Sequence, residues 1–188
     1  MRKLKLQLQM TVDGYIGGLN GEMNWLSQNW DDQLLQYVTE LTSSIGTIVL
    51  GRKLAQGFIP HWAAVKADPS HPEYGGGVVF TDTPKVVFSR TLTRSEWENT
   101  ELANGDIVDV IAQLKQQDGL PIYACGGATF AADLVKHNLI DEYHLFVNPA
   151  AIGSGLSIFK TLDGMRKLKL KRSIAFPCGI VLLNYEPD

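Results

Sequence analysis

The sequence predicts an α/β fold: a three-layer arrangement in which a mostly parallel central sheet lies between two sets of helices and ends in an antiparallel hairpin. Three observations carry that prediction. Short apolar runs alternate with longer amphipathic stretches from the first residues to Val147. Glycines close the apolar runs, at Gly14, Gly51 and Gly126-Gly127. The last two strand-like segments are separated only by the turn at Pro177 to Gly179, which is too short for a crossover helix. A length of 188 residues fits one domain spanning residues 1–188.

Taken in order, Leu4, Leu6, Leu8 and Met10 recur at period two, which marks a strand with one apolar and one polar face, ending at Asp13-Gly14. After a glycine-rich stretch through Gly21, Asn29 or a neighbour caps a helix. Its early acids, Asp31 and Asp32, suit the positive helix end, and Leu34, Leu35, Val38 and Leu41 form its buried stripe. Thr47 to Leu50 reads as a strand buried on both faces, followed by a short helix. The stretch from Ala67 to Pro84 contains Pro69, Pro72, Pro84 and Gly75-Gly76-Gly77, and reads as a long loop or flap.

Lys85 to Phe88 is the third strand. Ile107, Val108, Ile111 and Leu114 mark an amphipathic helix that closes at Gly119. Ile122 to Cys125 is a buried strand running through Gly126-Gly127 into a helix that carries Phe130, Leu134 and Val135 on one side. Tyr143 to Val147 is a further strand, and the hairpin follows around Lys167 to Phe176 and Ile180 to Tyr185.

Composition excludes several classes of function. A net charge of −3 provides no general field for a polyanion, so nucleic acid is not expected as a partner. The basic run Arg166 to Arg172 alternates with Leu168 and Leu170 and reads as the wet face of a strand. Two cysteines, Cys125 and Cys178, are too few for a disulfide framework, which fits a reduced cytoplasmic setting. The N-terminus has neither a signal-peptide core nor a membrane span. No Gly-x-Gly-x-x-Gly follows a strand, no Walker loop is present, and the four histidines lack zinc spacing, so no metal is expected.

What remains is the rim formed by the strand ends. Gly126-Gly127-Ala128-Thr129 joins a strand to a helix, the arrangement that holds a diphosphate on backbone N–H groups, though a plain strand-to-helix turn has the same look. Gly51-Arg52-Lys53 and Ser89-Arg90-Thr91 end two further strands and gather cations and hydroxyls on the same rim. A guanidinium fork there suits the extra ribose phosphate that distinguishes NADPH from NADH.

These residues also carry a resemblance. Thr11 to Ile16, Thr47 to Arg52, Lys85 to Leu92, Ile122 to Thr129, Leu139-Ile140-Asp141-Glu142 and Ile152-Gly153-Ser154-Gly155 together resemble the dihydrofolate reductase superfamily. The nearest branch is the reductase domain of bacterial riboflavin biosynthesis, and the likeness runs from the first strand to the last. It implies a dihydrofolate reductase-like fold and an NADPH-dependent reductase. Gly14, Ile16 and Gly17, in the mobile loop after the first strand, would lie over the nicotinamide and ribose. Arg52 and Lys53 would face the adenosine phosphate, helped by Ser89 and Arg90, and Gly51 would bring them close. Gly126, Gly127, Ala128 and Thr129 would cradle the diphosphate, with a cis peptide between the two glycines.

The substrate implied is a small planar heterocycle or an opened sugar imine, such as a pterin or 5-amino-6-(5-phosphoribosylamino)uracil. Asp31 and Asp32 occupy the region of the carboxylate that organises a pterin in dihydrofolate reductases and are the catalytic candidates, although their spacing departs from that pattern. A helix-start pair is the plainer reading of both. Asn24, Trp25 and Trp62, next to His61, are candidate substrate contacts because aromatic faces suit planar rings, and packing is the plainer reading of both tryptophans. Lys136 and Lys160 are candidates for a substrate phosphate. A homodimer through the late strands is implied for the riboflavin branch. Two alternatives stay open: dihydrofolate reductase activity, and a catalytically silent nucleotide-binding module.

Overall fold

A computed structural model describes residues 1–188. Eight strands form one sheet: β1 (Leu4–Thr11), β2 (Thr47–Gly51), β3 (Lys85–Phe88), β4 (Thr100–Ala103), β5 (Ile122–Ala124), β6 (Glu142–Asn148), β7 (Leu168–Ala175) and β8 (Val181–Pro187). Their order is β4-β3-β2-β5-β1-β6-β8-β7. Every pairing from β4 to β6 is parallel, and β8 pairs antiparallel with both β6 and β7. The expected α/β class and the closing hairpin are therefore present.

Five helices cover the sheet: α1 (Asp32–Ser43), α2 (Arg52–Ala67), α3 (Tyr74–Asp82), α4 (Ile107–Gln116) and α5 (Ala128–Lys136). The apolar face of β1, with Val49 and Val86, packs on Ile111, Leu114, Phe130 and Leu134 of α4 and α5. The opposite sheet face carries two separate clusters. Ile48, Leu50, Val87 and Tyr123 pack with Ala55, Ile59 and Phe80 of α2 and α3, whereas Phe146 and Leu182 pack with Leu34 of α1.

Three local expectations are corrected. The helix after β2 is 16 residues long, not short, and continues through Pro60. The supposed flap contains α3, whose glycines serve close packing: a Cβ on Gly77 would stand 2.7 Å from the Lys66 backbone nitrogen, and one on Gly76 would stand 3.1 Å from the Trp62 ring. Leu35 is 46% exposed, since the buried stripe of α1 narrows to Leu34, Leu41 and Thr42. Leu170 is 50% exposed because β7 is the sheet edge and no layer covers it. One strand, β4, extends the sheet beyond the predicted set.

Candidate functional site

The carboxyl ends of β2, β3, β4 and β5 open into a cleft of about 610 Å³. In open α/β sheets ligands settle at these ends, and the volume is in the range of a small-molecule or cofactor site. The cleft is lined by Gly51, Arg52 and Lys53 after β2, by Ser89 and Arg90 after β3, and by Gly127, Ala128 and Thr129 after β5. Residues distant in sequence thus meet in one place because parallel strands all end on the same side.

The start of α5 has free donors. The cap position is taken by Gly127, which has no capping side chain, and Ala131 is the first residue whose amide bonds back into the helix, to the Gly127 carbonyl at 2.8 Å. The amides of Ala128, Thr129 and Phe130 therefore have no backbone partner. Helix α2 likewise starts on a glycine, Gly51, without a side-chain cap. Bare first-turn amides and the helix dipole together favour an anion.

Backbone conformation explains the two glycines. Gly126 and Gly127 have φ of 117° and 78°, where a Cβ is strained. The space around Gly127 is open to ordinary contact only, with Leu54 and Phe130 at 3.6 and 3.7 Å from a built Cβ. Positive φ at both residues lets the chain turn from β5 into α5. The peptide between them is trans, not the cis bond that the resemblance implied.

Around this turn the charges are unbalanced. Arg52, Lys53 and Arg90 take part in none of the ion pairs of the molecule. Arg52 makes one long contact, from Nη1 to Gln56 Oε1 at 3.4 Å. Ser89 is buried, and its Oγ accepts from the amides of Thr91 and Leu92 at 3.2 and 2.9 Å, so it shapes the turn that presents Arg90. Sequence reasoning missed Asn104, Gly105, Asp106 and Ile107, which form another wall. They follow β4, and their one legible signal was the Asp106 cap of α4, whose Oδ1 accepts from Val108 N at 2.8 Å. Lys136 and His137 also line the cleft, whereas Lys160 does not.

The loop after β1 lies outside this cleft and is stapled to the segment after β6. Ile16 donates to the Leu156 carbonyl at 2.9 Å, and Leu156 donates back to Gly17 at 2.8 Å. Asp13 accepts from Gly153 N at 2.7 Å and Ile152 N at 3.0 Å. Its carboxyl is held below the usual range, first by the Thr11 hydroxyl and then by these amides, against a partial desolvation. Gly14 turns the loop at φ 87°.

The catalytic candidates are corrected by their contacts. Asp31 is the cap of α1: Oδ1 accepts from Gln33 N at 2.9 Å and Leu34 N at 3.0 Å, and Oδ2 accepts from Cys178 N at 2.9 Å. Desolvation pushes its pKa up, but the amides of Cys178, Leu34 and Gln33 outweigh it and leave the carboxyl below its ordinary value. A carboxylate so engaged is a poor proton donor. Asp32 is exposed in the first turn of α1. Of the substrate candidates, Trp62 is spent on packing α2 against α3, edge-on to Phe58 and 4.7 Å from the Phe80 ring centre. Trp25 donates from Nε1 to the Glu22 carbonyl at 3.2 Å, and Asn24 is exposed beside it.

Comparison with known proteins places the fold in a family. The profile of the RibD C-terminal domain family matches residues 2–182. The Bacillus subtilis protein YyaP, described as uncharacterized, is 30% identical over 188 residues, covering 98% of this chain and 94% of its own length. Among solved structures, a Thermotoga maritima diaminohydroxyphosphoribosylaminopyrimidine deaminase/5-amino-6-(5-phosphoribosylamino)uracil reductase superposes with a TM-score of 0.70 at 19% identity, over 100% of this chain and 57% of that one. A dihydrofolate reductase from Enterococcus faecalis, solved with NADP(H), superposes with a TM-score of 0.62 at 14% identity, over 99% of this chain and 96% of the other. At such identities the two structures establish a shared fold.

Proposed function

This chain belongs to the RibD C-terminal domain family, and on that premise we propose that it is a reductase that uses NADPH to reduce a small heterocyclic or ribosylaminopyrimidine substrate. The observation that carries the reading is one cleft holding both uncapped amides at the start of α5 and three unpaired cations, Arg52, Lys53 and Arg90. The donor set fits a dinucleotide with two anionic groups. The amides of Ala128, Thr129 and Phe130 would hold the diphosphate, and the cations after β2 and β3 would take the adenosine phosphate.

When bound, NADPH supplies the hydride. The chain's own part is placement and exclusion of water. Gly127 keeps that part of the cleft lining free of a side chain, so a ligand can rest on the backbone there, while Gly126 makes the turn behind it. The segment Gly14 to Gly18 is stapled to the chain after β6 beyond the end of β1. Orienting a reacting carbon against a fixed donor is itself a large part of a reductase's rate enhancement.

A reading as a silent nucleotide-binding module draws on one fact, that no carboxylate stands free as a proton donor beside β1. Asp31 is engaged in capping α1, and of the carboxylates lining the cleft Asp106 caps α4 and Asp133 lies within α5. The same fact weakens the folate reading. A titration separates these readings: NADPH and NADH binding by calorimetry, then loss of reduced-nicotinamide absorbance with 5-amino-6-(5-phosphoribosylamino)uracil and with dihydrofolate. Tighter binding of NADPH than NADH, with turnover of the uracil, is the expected result. Equal binding of the two cofactors would overturn the phosphate assignment, and NADPH binding without turnover of either substrate would favour the module.

A further inference from the structure

We propose that Asn104-Gly105 is a site of spontaneous deamidation, and that the acid formed there sets a negative charge against the anion-binding rim of the cleft. The reaction follows from the local geometry alone, whereas its consequence for the cofactor rests on the reductase reading.

An asparagine followed by glycine is the pair most open to this reaction, because glycine has no Cβ to restrain or shield the attacking backbone nitrogen. The chain contains two such pairs, Asn20-Gly21 and Asn104-Gly105. They are identical in sequence and held very differently. Asn20 Nδ2 donates to Glu22 Oε1 at 2.7 Å, and its backbone N–H donates to Oε2 of the same carboxylate at 3.0 Å. Gly21 N donates to the Gly18 carbonyl at 2.9 Å. Both reacting groups of that pair, the side-chain amide and the nitrogen that follows it, are therefore engaged.

The second pair has no such restraint. Asn104 is exposed and its side-chain amide has no hydrogen-bond partner, and the Gly105 nitrogen donates to nothing. Neither residue belongs to a regular element, since β4 stops at Ala103 and α4 starts at Ile107. The segment can reach the geometry of ring closure at little cost, and a nucleophile tethered beside its electrophile gains from proximity.

The step needs only water. The Gly105 nitrogen loses its proton and bonds to Asn104 Cγ, the Cγ–Nδ2 bond breaks, and ammonia leaves with that proton, closing a five-membered succinimide. Water then opens the ring at either carbonyl, to aspartate or to isoaspartate. One water is consumed and one ammonia released, and nothing is oxidised or reduced.

The position gives the reaction its consequence. In the pairing of β3 with β4, Phe88 stands opposite Ala103, and Ser89 N donates to the Ala103 carbonyl at 3.1 Å. Asn104 thus follows beside Ser89 and Arg90, on the same cleft as Arg52 and Lys53. Arg90 has no anionic partner in the molecule. A carboxylate at position 104 offers it one and repels a phosphate approaching the same arginine.

Peptide mapping by mass spectrometry tests the reaction, on the full chain kept for days in warm, mildly alkaline buffer. The Asn104 peptide should convert to aspartate and isoaspartate severalfold faster than the Asn20 peptide, and in the urea-unfolded chain the two should convert alike. Gly105→Ala, whose Cβ would meet only a Val110 methyl at 3.4 Å, should slow the Asn104 reaction severalfold with little change in melting temperature. Calorimetry tests the consequence. Aged protein and Asn104→Asp should both bind NADPH about tenfold more weakly than fresh protein, the scale of one unit charge near an anion at a protein surface, with a smaller loss for NADH.

Equal rates for the two pairs in the folded chain overturn the site, as does an Asn104 peptide that stays an amide while the unfolded chain converts. Unchanged NADPH affinity in Asn104→Asp overturns the consequence. Absence of NADPH binding by fresh protein overturns the reductase reading, and the consequence with it, while the peptide map still decides the reaction.

Discussion

The tips of β2 to β5 and the tips of β1 and β6 are neighbours on one rim, yet their polar groups are used in opposite ways. On the first half, α2 and α5 start on glycines without caps, and Arg52, Lys53 and Arg90 have no anionic partner. On the second half, Asp31 caps α1 and ties down Cys178, and Asp13 staples Ile152 and Gly153. Stability alone would favour capping and pairing everywhere. The open half caps α4 with Asp106 but leaves α2, α5 and its three cations without such partners, which is the mark of a surface that meets an anion, while the closed half is tied down beside it.

The largest expected effect comes from beneath that closed half, where α1 packs on β6 and Tyr37 bonds His144 at 2.9 Å. His144 is buried, and burial pushes its pKa down to about 4, against the opposing pull of Glu142. The unfolded chain takes up a proton near the ordinary histidine value, and the native state does not until well below it. Stability should therefore fall as pH drops from about 6.5 to about 4, by at most about 3 kcal/mol. Urea denaturation across that range measures it. His144→Gln, which still accepts from Tyr37, should flatten this part of the profile, and an unchanged slope would mean that His144 titrates freely.

On the open half, Gly127→Val places a β-branched residue at φ 78°. The expected cost is about 2 kcal/mol of stability, with loss of NADPH binding because the side chain covers the amides of α5. A variant that folds and binds NADPH as well as the wild type would remove the diphosphate from this turn.

Much of this division is legible in the amino-acid sequence. The period-two pattern of β1, the glycine stops and the cations after β2 and β3 are local signals, and each of those strand tips falls where the signals put it. What is not legible depends on contacts made far along the chain. Gly75 to Gly77 reads as a loop because glycine weakens a helix by itself, but α3 packs so close to Lys66 that a side chain at Gly77 has no room. β4 is only Thr100–Ala103, with Glu101 exposed, too short and polar to show a period, and it becomes a strand by pairing with β3. With it comes the missing wall, Asn104 to Ile107.

A smaller effect is expected at the cations. Arg52→Ala removes one of three, and Lys53 and Arg90 remain beside it on the cleft. The preference for NADPH over NADH should drop by about 1.5 kcal/mol, roughly tenfold, with NADH binding little changed. Competition calorimetry reads both. If NADH weakens equally, Arg52 contacts a part common to the two cofactors and the phosphate site moves toward Arg90.

The smallest effect should come from Asp31→Asn, and its smallness is the point. Asparagine caps a helix as well as aspartate, so the bonds to Gln33 N and Leu34 N survive, and only the contact with Cys178 N turns from acceptor to donor. A slight fall in melting temperature is expected, with NADPH affinity and turnover kept. If Asp31 supplied a proton to the substrate, asparagine could not replace it, and turnover would collapse while the fold stood. The pH profile adds a second reading. A carboxyl held below its ordinary range by three amides gives no rate transition near neutral pH, so wild type and Asp31→Asn should share one profile. A transition present in the wild type and lost in the variant would move Asp31 from the wall into the chemistry, and the closed half of the rim would have to be counted as part of the site.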